Sequence, residues 1–127
     1  MAPASYSARS GANAVIAAPE TLKNLPHFQQ IQKKLADPRL TPAAEAEKLI
    51  AEGKTIVLIT CTIHATEIAS THTAVEYAHK LSTANDAKSL AILNNTIVLL
   101  VPSLNPDGLD LVTKWYRATL NTPYEGT

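Results

Sequence analysis

A chain of 127 residues suits one small domain with a core of useful size, and its 46% hydrophobic and 17% charged residues are those of a folded globular protein, not a disordered one. Eleven basic residues balance eleven acidic ones and Lys33-Lys34 is too short a run to matter, so no field draws the chain to nucleic acid or an anionic membrane. With Cys61 as its single cysteine no intrachain disulfide forms, and no segment approaches the roughly 20 apolar residues of a membrane span.

In chain order, residues 1–13 are rich in Ala, Ser and Gly and are expected to form a flexible tail. They lack a basic stretch followed by a long apolar run, so no signal peptide is read there and the compartment stays open. Asn13 to Ala17 reads as a short strand ended by Pro19. Leu22, Leu25, Phe28, Ile31 and Leu35, spaced by threes and fours, predict an amphipathic helix over Glu20 to Ala36, with Pro26 in its first turn or restarting it. Asp37-Pro38 breaks that helix. The next is expected to open with Thr41 as N-cap, Pro42 at the first helical position and Glu45 completing a capping box, and to stop at Gly53.

Thr55 to Thr60 (TIVLIT) is a nearly continuous β-branched run, the pattern of a strand buried on both faces. Helices are predicted over Thr66 to Leu81 and Ala84 to Leu93, then a second buried strand over Thr96 to Val101 (TIVLLV), closed by Pro102. Strand, helix and strand at this spacing imply a crossover unit of an α/β sheet with parallel neighbours. Ser103 to Gly108 (SLNPDG) reads as a loop, Leu109 to Leu120 as a helix, and Asn121 to Thr127 as an irregular end.

Both strands run into polar segments, CTIHATE and SLNPDG, which are expected to share the carboxyl edge of the sheet, where α/β folds gather ligands. His64 and Glu67 are separated by two residues; an imidazole and a carboxylate suit zinc, and a strand-end residue and a first-turn residue can converge on one ion. The spacing fits equally a first-turn carboxylate favoured by the helix dipole beside a hydrogen-bonded loop histidine. There is no HExxH. His72 lies five positions after Glu67, about 140° round a helix, and faces away. It reads with His79 and His27 as a surface or packing residue. Cys61 reads as a small apolar group at the strand end. Asn105, Pro106, Asp107 and Gly108 read as a tight turn near the site; Lys114 and Arg117 read as solvated charges, with Arg117 also able to aim an anion-binding fork at the strand ends.

Taken together, His64-Ala-Thr-Glu67 after one buried strand and Asn105-Pro106-Asp107-Gly108 after the next, preceded by VPSL, resemble the zinc carboxypeptidase family of the carboxypeptidase A type, in its bacterial branch. The likeness covers roughly residues 54 to 117. It implies an α/β fold in which residues 14–127 form the N-terminal part of a catalytic domain, with a partial, mixed, mainly parallel sheet flanked by helices. It implies zinc as cofactor, with His64 and Glu67 as two protein ligands and a later histidine as the third. It also implies a peptide or C-terminal amino-acid substrate and the secreted or periplasmic setting common among such proteins. The family's third histidine, its glutamate general base and its carboxylate-binding pair come downstream of the position of Thr127. No catalytic residue is therefore assigned on this chain, and Tyr124 and Glu125 come too early for those roles. About a turn after Arg117, where the family carries an oxyanion-stabilising arginine, this chain has Leu120. Two other readings use the same scaffold: an amidohydrolase of the same superfamily acting on small acylated amino acids or cell-wall peptides, and a non-catalytic α/β binding module.

Overall fold

The most apolar run in the chain takes the centre of the sheet. In the computed structural model, which describes residues 13–126, Thr96–Val101 (β3) lies between Ala14–Ile16 (β1) and Thr55–Thr60 (β2). β2 pairs with β3 in parallel from Thr55 on Thr96 to Thr60 on Val101, and the shorter β1 pairs antiparallel, Ala14 on Leu100 to Ile16 on Val98. The sheet is thus mixed, with the parallel ladder the longer, and helices flank it. Residues 1–12, most of the expected tail, lie outside the described residues.

The crossover from β2 to β3 runs through helices Ile68–Thr83 (α4) and Ala87–Asn95 (α5). Their buried Ala74, Leu81 and Leu93 join Ile16, Ala18, Val98 and Leu100 in one cluster, with Ile59 and Cys61 packed against it. Asp86 caps α5 by accepting from the Ser89 N–H at 3.0 Å. Alternation along β3 turns Val98 and Leu100 into this cluster and Ile97, equally buried, to the opposite face.

β2 departs from the expected double-sided burial. It has β3 as its one neighbour among the described residues, and Leu58 remains 62% exposed. An apolar run signals a capacity for burial; position in the sheet decides whether that capacity is used, and β2 stands at an edge.

Three local expectations are corrected. The helix over Glu20 to Ala36 is two, Pro19–Lys23 (α1) and Leu25–Leu35 (α2), broken at Asn24 because Pro26 has no N–H to carry the ladder across. The helix Ala43–Glu52 (α3) takes Pro42, not Thr41, as its N-cap residue. The buried Thr41 hydroxyl instead donates to the Lys34 carbonyl at 2.6 Å, and Glu45 pairs with Lys34 at 2.9 Å instead of closing a capping box. Gly53 does stop α3, but in extended backbone; a Cβ there would meet the Leu49 carbonyl oxygen at 2.9 Å, so close approach requires the glycine. Lastly, Asn105 to Gly108 is not a free turn: Pro106–Thr119 form helix α6, which begins at Pro106. After α6, Glu125 closes the chain end, accepting from the Tyr116 hydroxyl at 3.0 Å and the Asn121 N–H at 2.8 Å.

Candidate metal centre

Because β2 and β3 run parallel and in register, their carboxyl ends emerge at the same edge, and the ladder continues past both strands. The Cys61 N–H donates to the Val101 carbonyl at 2.9 Å, Leu104 N–H to Cys61 at 2.9 Å, and Asn105 N–H to Thr62 at 3.2 Å. The two polar segments are therefore stitched into one surface, as the sequence pattern implied.

On that surface His64 and Glu67 meet. His64 Nδ1 lies 2.9 Å from Glu67 Oε1, and the His64 N–H donates to Oε2 at 3.2 Å. An ionised carboxylate only accepts, so Nδ1 carries the proton in this arrangement. A turn between them, Glu67 N–H to the His64 carbonyl at 3.1 Å, brings the two side chains to the same side. Both are open to solvent, with 75% of the His64 and 46% of the Glu67 side chain exposed. Beside them is a recess of about 570 Å³ lined by Cys61, Thr62, Ile63, Glu67, Ser70 and Leu104 among others.

The hydrogen bond from His64, followed by the one from its backbone, holds the Glu67 carboxyl below its ordinary value of 4.5. The pairing thus contributes stability in full above that ordinary value and loses it as the pH falls through the lower folded value. A ¹³C titration of the Glu67 carboxyl should show a midpoint below 4.5, and His64→Ala should move it back up; an unshifted wild-type midpoint would show that the pair does not form in solution.

Asn105, at the N-cap of α6, ties the second segment to the first. Its Oδ1 accepts from the Gly108 N–H at 2.9 Å and its Nδ2 donates to the Ile63 carbonyl at 3.3 Å, one residue before His64. Both partners agree on the amide orientation. Gly108 leaves room for this: a Cβ there would fall 2.6 Å from both Asn105 Oδ1 and Nδ2. Gly108→Ala should gain about 1 kcal/mol of helix propensity and lose about 0.5–2 kcal/mol of cap. The net stability change is then small, while the Ile63 link is broken. Denaturation should register little, and the Asn105 side-chain NH₂ resonances should shift toward those of a solvated amide; a wild-type position for them would contradict the close packing.

Thr62 is the residue that sequence reasoning missed. It is β-branched yet adopts φ +51°, in the left-handed region, and is only 2% exposed. Such a conformation costs about 1–3 kcal/mol and persists only where the surroundings hold it. Here they do. Its Oγ1 lies 3.0 Å from the Glu67 carbonyl, 2.8 Å from Ser70 Oγ and 2.6 Å from Thr71 Oγ1, and its N–H donates to Ser70 Oγ at 3.1 Å. No local sequence signal announces this, since Thr two positions before a histidine is ordinary in a strand-end segment.

The remaining candidates stay apart from the pair. Arg117 is exposed in the last turn of α6, and among the described residues it makes no hydrogen bond or ion pair with His64 or Glu67. His72 and His79 are exposed on α4, and His27 Nε2 lies 3.0 Å from Glu52 on the other helices. Cys61 packs against the core cluster.

An imidazole and an ionised carboxylate on one exposed edge form a donor set that fits zinc, in the protonation state the carboxylate needs. Among the described residues no third His, Cys, Asp or Glu joins them. The residues present therefore fit two coordination positions and no more.

The profile of the zinc carboxypeptidase family matches residues 29–126, and so spans the parallel strands β2 and β3, the His64–Glu67 pair and α6 together, with β1 outside the match. No curated protein and no solved structure matches the chain significantly.

Proposed function

The chain belongs to the zinc carboxypeptidase family, and on that premise we propose that residues 14–127 are the N-terminal part of a zinc-dependent peptide hydrolase domain in which His64 and Glu67 are the first two protein ligands. The observation that carries this reading is the direct contact of His64 Nδ1 with Glu67 Oε1, 2.9 Å, at the shared carboxyl edge of two parallel strands. When bound, zinc supplies a Lewis acid at that edge, suited to polarising a peptide carbonyl. His64 would hold it through whichever ring nitrogen carries no proton, Nε2 as the pair stands or Nδ1 once the proton sits on Nε2, and Glu67 through its carboxylate, already anionic at neutral pH. Peptides or C-terminal amino acids are the substrates that fit the family. Arg117, exposed on α6, is kept as a candidate substrate contact only.

With two ligands and no general base among the described residues near the pair, the 127-residue chain is expected to bind zinc weakly and to turn over no peptide. Metal analysis after dialysis, with assays on peptides bearing free and blocked C-termini, checks this. Stoichiometric zinc that survives dialysis, together with turnover, would show a complete centre and overturn the assignment of an incomplete one.

A further inference from the structure

We propose that Thr62 is the positioning residue of the His64–Glu67 pair, the buried closure that holds both side chains on one face of the edge. The segment from Thr62 to Glu67 is a short excursion away from the sheet. The Thr62 hydroxyl closes it on itself, lying 3.0 Å from the carbonyl of Glu67, so the residue at one end of the excursion grips the residue at the other. His64 sits two positions inside the first end and Glu67 is the second. Whatever fixes the two ends fixes the separation of the two side chains.

The closure is itself anchored on three sides. Toward α4, the Thr62 N–H donates to Ser70 Oγ at 3.1 Å and Ser70 Oγ donates to the Glu67 carbonyl at 2.7 Å. Toward β3, Thr71 Oγ1 lies 2.6 Å from the Thr62 hydroxyl and donates to the Pro102 carbonyl at 3.0 Å. Toward α6, the Thr62 carbonyl accepts the Asn105 N–H at 3.2 Å. The protons balance. Three hydroxyls carry three protons: Thr62 gives its own to the Glu67 carbonyl and accepts from Ser70 and Thr71, whose protons are shared with the Glu67 and Pro102 carbonyls. A serine or threonine buried for packing alone needs one partner; Thr62 reaches every element that borders the pair. Its left-handed backbone supplies the direction, because φ +51° turns the chain out of the line of β2.

The role deepens the zinc reading and rests on it only in the metal half of the test. Thr62→Val keeps the branching and volume and removes the hydroxyl, whereas Thr62→Ser keeps the hydroxyl. In the metal-free 127-residue chain, NOEs between the His64 ring and the Glu67 methylenes report the pair directly. Expected are their loss in Thr62→Val and their retention in Thr62→Ser. Titrated with zinc under conditions where both variants are folded, Thr62→Val should bind about 10-fold more weakly than wild type, with Thr62→Ser close to wild type. A folded Thr62→Val chain with wild-type NOEs overturns the proposal, even if its melting temperature has dropped, because a purely structural threonine would behave that way. Should Thr62→Val not fold, Ser70→Ala removes the hydroxyl that meets both the Thr62 N–H and Oγ1; weakened NOEs are then expected, and unchanged ones overturn the proposal. If the NOEs respond as expected while zinc binds wild-type and His64→Ala chains alike, the zinc reading fails and the positioning role of Thr62 stands.

Discussion

Replacing His64 with alanine should remove zinc binding from this chain by at least about 100-fold in affinity, more than the ~10–100-fold that loss of an outer-shell partner costs. One carboxylate alone holds zinc little better than water does, and Glu67→Ala should produce the same loss from the other side. Both variants are informative because both should fold. His64 and Glu67 are solvent-facing, their mutual bond is between exposed groups, and surface substitutions of this kind usually stay within about 0.5 kcal/mol. Isothermal titration with zinc of the wild-type and variant chains, alongside circular dichroism, separates the two effects. A His64→Ala chain that binds zinc as the wild type does would remove His64 from the centre and leave the family's metal, if it binds here, to other residues.

The second large effect concerns the scaffold. Leu100→Ala should destabilise the domain by about 2–5 kcal/mol, a large share of the roughly 5–15 kcal/mol typical of a native domain. Leu100 is 1% exposed, is paired on both sides by β1 and β2, and lies in the cluster that α4 and α5 cover. The cavity left there has no solvent-facing side into which it can collapse. Leu58→Ala, on the exposed side of the edge strand, should cost no more than about 0.5 kcal/mol. Equal costs in urea denaturation would contradict the placement of β3 at the centre and β2 at the rim. The contrast also bears on the site, since β3 supplies the register from which both polar segments depart.

The strand–helix–strand unit was legible in the sequence because its boundaries are sharp. Thr55–Thr60 and Thr96–Val101 are found at the expected residues, each a β-branched run with a glycine or proline at one end. The order of the strands was not legible. Periodicity reports how much apolar surface a strand carries and is silent on its neighbours, so two nearly identical hexapeptides took opposite fates, β3 central and β2 at the edge. Asn105-Pro106 carries two valid signals, a turn and an N-cap followed by proline at the first helical position; the apolar positions of the following helix decided for the cap. Thr41-Pro42 has the same form and resolved differently, because the Lys34 carbonyl competed for the threonine hydroxyl. The contact of His64 with Glu67 follows from their spacing, and the chemistry assigned to it from the family. The support under the pair was invisible, since it consists of hydroxyls at positions 62, 70 and 71 whose partners are set by tertiary packing.

The Asn105 side chain reaches across 42 residues of chain to the carbonyl of Ile63. That span sets when the site is made as well as where. Closing a loop of this length carries an entropic cost that grows only slowly with size, and α4 and α5 shorten the effective loop because they can form inside it from local contacts alone. The bond from Asn105 cannot form until β3 has found β2 and α6 has begun, so His64 acquires its final surroundings among the last events of folding. A refolding chain would show helical signal first and an ordered His64 ring afterwards, which makes that ring a natural clock for completion of the sheet.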